Sequence, residues 1–164
     1  SWKEISNNIA TIVEKSLDVP SNFYNGSKAK NINASSIKIS SEYDFQNLIH
    51  LVLRPWLPSL EAENIAVIFD GNTKYADFSV KGNSLIVEAK YIDTNGKKND
   101  TLKTLEGLKS FYKSNSNVKA LLFLILVEDS VSLDKYKIEE EFSQLGKEPT
   151  VFVKVMFNKL KENI

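Results

Sequence analysis

The chain has 164 residues, 42% hydrophobic and 26% charged, enough for a single domain with its own core. Its 21 lysines and arginines balance its 21 aspartates and glutamates, so the overall basic coat of a general nucleic-acid binder is excluded, although a local basic groove is not. Cysteine is absent, which excludes a disulfide framework, a thiolate zinc site and a cysteine nucleophile.

From the N-terminus, Trp2, Ile5, Ile9, Ile12, Val13 and Leu17 recur at helical spacing and predict a first helix that ends before Pro20. Residues 22–40 are rich in Asn, Ser, Lys and Gly and read as an irregular connection onto which Ile32 and Ile37 could dock. A second helix begins near Ser41, where Glu42 and Asp44 favour the first turn, and Pro55 and Pro58 end it. Asn64–Phe69 predicts a strand, Asp70-Gly71-Asn72 a turn, and Tyr75–Val80 and Ser84–Tyr91 two further strands. Asp93–Asp100 reads as a polar loop and Thr101–Tyr112 as an amphipathic helix. Lys119–Val127 is an almost continuous apolar run, the mark of a strand covered on both faces. Asp134–Leu145 reads as a helix closed by Gly146, and Thr150–Phe157 as a last strand. This order predicts an α/β fold: a mixed sheet flanked by helices, with an extra N-terminal helix and a C-terminal helix-strand pair. Two parts are expected, 1–40 as N-terminal helix and connection and 41–164 as the main domain. The longest apolar run falls far short of the ~20 residues that span a bilayer, and from the polar N-terminus no signal peptide is expected. A cytoplasmic protein without membrane association is expected, and the start at Ser1 suggests a piece of a longer protein with a segment upstream.

The chemistry concentrates in one hairpin. Asp77 lies in one strand, Glu88 and Lys90 in the next, and Lys81-Gly82-Asn83-Ser84 between them has the composition of a tight turn. Side chains alternate along a strand, so Glu88 and Lys90 share a face and pairing brings Asp77 to it. Two carboxylates and an ammonium there make a divalent-metal site beside a lysine that can act on water. The bland alternative is a pair of solvated surface acids with a salt-bridged lysine; the apolar residues around Glu88 weigh against it.

With Glu42-Tyr43-Asp44-Phe45-Gln46 on the preceding helix, then Ala76-Asp77-Phe78 and Glu88-Ala89-Lys90, the chain resembles the PD-(D/E)XK nuclease superfamily, and within it the DpnII/MboI-like restriction endonuclease domain. Leu105–Tyr112 and Leu121–Leu124 look like that group's second helix and following strand, so the resemblance spans roughly Glu42–Val127. It implies a restriction-endonuclease-like core (αβββαβ) and a Mg²⁺-dependent endodeoxyribonuclease, with Mn²⁺ as a possible substitute. Asp77 and Glu88 would be metal ligands, Lys90 would orient or deprotonate the attacking water, and Glu42 would complete the cation's shell. Gln46, one helical turn on, would hold the water or the phosphate. Lys74, which stands where relatives often carry arginine, and Lys109 and Lys113 are candidate phosphate contacts. Double-stranded DNA is the implied partner, a homodimer the implied assembly, and restriction or antiphage defence the implied role. A nuclease-derived binding or assembly module that no longer cleaves, or an RNA-directed nuclease, is the alternative. The single histidine, His50, reads as a partly packed helical residue, Trp56 and Tyr112 as packing aromatics, and Glu139-Glu140-Glu141 as a solvated helix face.

Overall fold

A computed structural model describes residues 1–69 and 71–160; Asp70 of the predicted turn lies outside them. Helix α1 (Trp2–Ser16) is closed at its start by a capping box between Ser1 and Glu4, and α2 (Glu42–Leu53) is capped by Ser41, whose hydroxyl accepts the Asp44 N–H. Asp44 is itself held by the Ser40 N–H and hydroxyl, the capping use of an acid in this position. Then follow β1 (Leu60–Phe69), β2 (Asn72–Val80), β3 (Leu85–Ile92), α3 (Asn95–Lys113), β4 (Ala120–Val127), α4 (Lys135–Phe142) and β5 (Thr150–Phe157).

The five strands form one sheet in the order β1-β2-β3-β4-β5. The β1-β2 and β2-β3 pairs are antiparallel; β3-β4 and β4-β5 are parallel. Strand β4, flanked by β3 and β5 and buried at every position, is the continuous apolar run of the sequence. The parallel pairs need crossovers, and α3 and α4 supply them. Alternation along β3 and β4 builds two cores. Leu85, Val87, Ala89, Leu122 and Leu124 pack with Val13 of α1 and Phe45 and Ile49 of α2. Ile86, Ile92, Leu121, Phe123 and Ile125 pack under Leu105 and Tyr112 of α3 and Ile138 of α4. This is the α/β, restriction-endonuclease-like arrangement that the order of elements predicts.

Several local expectations are corrected. The polar stretch from Asp93 is not a loop: Thr94 caps α3, which begins at Asn95, and its first turns face solvent with no apolar stripe to announce them. Helix α4 stops at Phe142 because Ser143 turns extended and Gln144 bridges to Val151. Glu139 is not simply solvated, since its carboxylate accepts the Val155 N–H at 2.9 Å and lies 3.8 Å from Lys135. Trp56 is 74% exposed rather than packed, and His50 is exposed as well. Two short 3-10 turns form, Pro20–Asn22 leading into the 22–40 connection and Ala34–Ser36 within it; Ile37 packs against the core while Ile32 stays exposed. Strand β1 starts at Leu60, four residues ahead of its predicted start.

Candidate active site

The site forms where two strands part. Strands β2 and β3 pair only through Phe78-Val87, Ser79-Ile86 and Val80-Leu85. One further step in the same register would set Asp77 opposite Glu88. Strand β3 meanwhile stays paired with β4 from Leu85 to Ile92. Beyond Val87, its N–H groups on the β2 side therefore lack a strand partner, and buried N–H groups must find one. Two carboxylates supply it. Asp77 Oδ2 accepts the Ala89 N–H at 2.8 Å, and Glu42 Oε2, from the first turn of α2, accepts the Tyr91 N–H at 3.3 Å. Gln46, one helical turn after Glu42, donates through Nε2 to Asp77 Oδ1 at 2.9 Å.

Lys90 sits among the acids. Its Nζ lies 3.4 Å from Glu42, 3.8 Å from Glu88 and 3.9 Å from Asp77. Burial alone would lower its pKa, but the three carboxylates outweigh burial and hold it above the ordinary lysine value, so it stays an ammonium. Glu88 is only 3% exposed. Burial, and then the neighbouring Asp77, pushes its carboxyl up to about 7. Asp77 is pushed up too, chiefly by burial, against the opposing pull of Lys90. The remaining support for Glu88 comes from α3: Tyr112 Oη donates to Glu88 Oε1 at 2.7 Å. Burial and the Glu88 charge raise the Tyr112 pKa, which keeps the phenol protonated as a donor.

Asp77 and Glu88 are the donors that could hold a metal ion. Among the described residues no group of three or more His, Asp or Glu side chains is placed to hold one; the Glu42 carboxylate is engaged by Lys90 and the Tyr91 N–H. Two carboxylates are nevertheless the complement Mg²⁺ takes from protein when substrate phosphate and water fill its other positions. Their raised pKa values fit such a cation, because a dication at the pair offsets the repulsion that holds protons on it.

Five of the residues expected at the site converge there: Asp77, Glu88, Lys90, Glu42 and Gln46. The three candidate phosphate contacts are dispersed. Lys74 is exposed on β2, while Lys109 and Lys113 lie on α3, half-buried and exposed respectively. None of the three makes an ion pair with another described residue. Tyr112 was expected only to pack. In sequence it continues the apolar stripe of Leu105 and Leu108; the one sign of more was a hydroxyl in a buried stripe, which needs a partner.

A family model described as REase_DpnII-MboI matches residues 8–158. The match extends through most of α1 and through α4 and β5, so the expectation that these lie outside the resemblance is corrected. No curated protein and no solved structure matches the chain. The match runs from α1 to the end of β5, and the parted β2 and β3 strands carry the acids and lysine that first suggested it; the chain belongs to the DpnII–MboI family of restriction endonucleases.

Proposed function

We propose that the protein is a divalent-metal-dependent endonuclease that hydrolyses phosphodiester bonds in double-stranded DNA. The observation that carries this reading is the placement of the Lys90 ammonium within 4 Å of Glu42, Asp77 and Glu88 at the parted strands. Asp77 and Glu88 would hold Mg²⁺, with Mn²⁺ as a substitute and Glu42 joining directly or through water. When bound, the cation would supply charge for the scissile phosphate and acidify a water. The residues do the positioning. Gln46 fixes the Asp77 carboxylate from the far side, and the Ala89 N–H fixes it from the strand. Tyr112 holds the Glu88 carboxylate against α3. Lys90, kept protonated by its neighbours, is suited to stabilise charge on the phosphate and to orient the attacking water; it is poorly suited to abstract a proton. A dimer, action in restriction or antiphage defence, and a cytoplasmic setting belong to the same reading by family analogy. No described helix is long and apolar enough to cross a membrane.

The test is cleavage of plasmid and oligonucleotide duplexes with Mg²⁺ or Mn²⁺, beside EDTA and a Lys90→Ala variant. Cutting that needs the metal and Lys90 supports the proposal. Equal cutting in EDTA, or by Lys90→Ala, would overturn it.

A further inference from the structure

Next to Asp77, between α2 and the β1-β2 ribbon, lies a cavity of about 250 Å³, lined by Gln46, Asn47, His50, Ala62 and Phe78. It adjoins the site through Gln46, which lines it and also donates to Asp77. Its floor is apolar: Ala62 and Phe78 are cross-strand partners in the β1-β2 ladder, and Phe78 is buried. The polar groups come from one face of α2, where Gln46 and His50 stand four residues apart and Asn47 lies beside them. Asn47 and His50 are exposed, and neither side chain hydrogen-bonds to another described residue.

The chemistry of this lining selects among the parts of a DNA substrate. Among the described residues no lysine or arginine lines the cavity, so its described lining does not recognise phosphate by charge. Amide and imidazole side chains carry hydrogen-bonding groups that match the edge of a nucleobase. An apolar floor suits the face of a planar ring. The volume is below the roughly 300–1,000 Å³ of sites for drug-sized ligands and suits one ring system better than a whole nucleotide. The position agrees as well, since Gln46, which donates to Asp77, and His50 stand about one helical turn, ~5.4 Å, apart along α2.

The geometry points to a nucleobase pocket: Asn47 and His50 contact the base next to the scissile phosphate and set the sequence preference of the cut. The assignment rests on the proposed nuclease function. The experiment is an abasic scan along the cleaved strand of a duplex substrate. It is read by single-turnover cleavage in Mg²⁺ and by fluorescence anisotropy in Ca²⁺, for wild type, Asn47→Ala, His50→Ala and the double variant. Both positions are exposed, so the folded domain should tolerate each change. In the wild type, one abasic position should weaken binding or cleavage about 5- to 100-fold, the range for loss of one good base contact. The double variant should show the same loss on intact DNA and little further loss at that abasic position, because both changes remove one interaction. Independent, multiplicative effects of base and side chain would overturn the pocket while leaving the nuclease intact. If the wild type cuts nothing, the nuclease reading falls, and the anisotropy coupling still decides whether the pocket holds a base.

Discussion

Replacing Tyr112 with phenylalanine removes one oxygen and little else. The ring is fully buried among Leu105 and its neighbours and would stay in place. The lost interaction is the 2.7 Å hydrogen bond from Oη to Glu88 Oε1, the only hydrogen bond given to that carboxylate by α3. A hydrogen bond to a charged group contributes roughly 1.5–3 kcal/mol. That contribution is largest when Glu88 is ionised, the state a bound cation requires. At 1.36 kcal/mol per tenfold, Mg²⁺ binding should weaken about 10- to 100-fold, which matches the usual cost of removing a residue that supports a metal ligand. The hydrogen bond also pulls the Glu88 carboxyl down, so without it the carboxyl should rise further above about 7, and Mg²⁺ binding should need a higher pH. The assay is a Mg²⁺ titration followed by thermal unfolding, which needs no turnover, repeated for the cleavage rate. A variant whose half-saturating Mg²⁺ stays within twofold of wild type at pH 7 would refute the role assigned to Tyr112.

The metal-free protein should lose stability as pH rises. Folded Glu88 keeps its proton to about 7, whereas the unfolded chain releases it near 4.5, so this contribution is fully present below 4.5 and is lost by about pH 7. The change is roughly 3 kcal/mol, read as the difference in urea unfolding between wild type and Glu88→Gln in EDTA; identical pH slopes in the two proteins would contradict it. Saturating Mg²⁺ should raise the wild-type melting temperature more at pH 8 than at pH 5.5, because bound metal needs both carboxylates ionised. An equal shift at both values would count against the pair as the metal site. Lys90→Ala should cut the cleavage rate by ~100-fold or more at saturating Mg²⁺, the range for loss of one preorganised charge-stabilising group, and a smaller effect would move the catalytic role elsewhere. Ser79, next to Asp77 on the same face of β2, carries a fully buried hydroxyl with no hydrogen-bond partner among the described residues. Ser79→Ala should therefore raise the melting temperature by roughly 2–4 °C for each kcal/mol relieved, and a lower melting temperature would mean the hydroxyl has a partner.

How far the site could be read from sequence depends on what kind of contact made it. Asp77, Glu88 and Lys90 were legible because strand alternation and a short turn bring them together whatever the rest of the chain does. Glu42 and Gln46 were legible as one face of a helix, but nothing in their spacing said that this helix would start over β3. Tyr112 was hidden because its partner is 24 residues away and its own pattern is that of core. The start of α3 was missed for a related reason: one side chain, Thr94, caps a stretch whose residues look like loop. The fold followed from order and periodicity, which are local properties. The carboxylate-to-backbone contacts required knowing where two strands would cease to pair.

That parting of β2 from β3 makes Asp77 a structural substitute for a missing strand as well as a catalytic candidate. Any lineage of this fold that lost cleavage would still need an acceptor for the Ala89 N–H. Asparagine at position 77 can accept that bond while withdrawing the charge, and alanine cannot. Inactivated relatives should accordingly drift to asparagine at this position sooner than to an apolar residue. For the same reason, an inactive protein made for trapping DNA is better built as Asp77→Asn than as Asp77→Ala, since only the former leaves the Ala89 N–H on the parted edge of β3 with an acceptor.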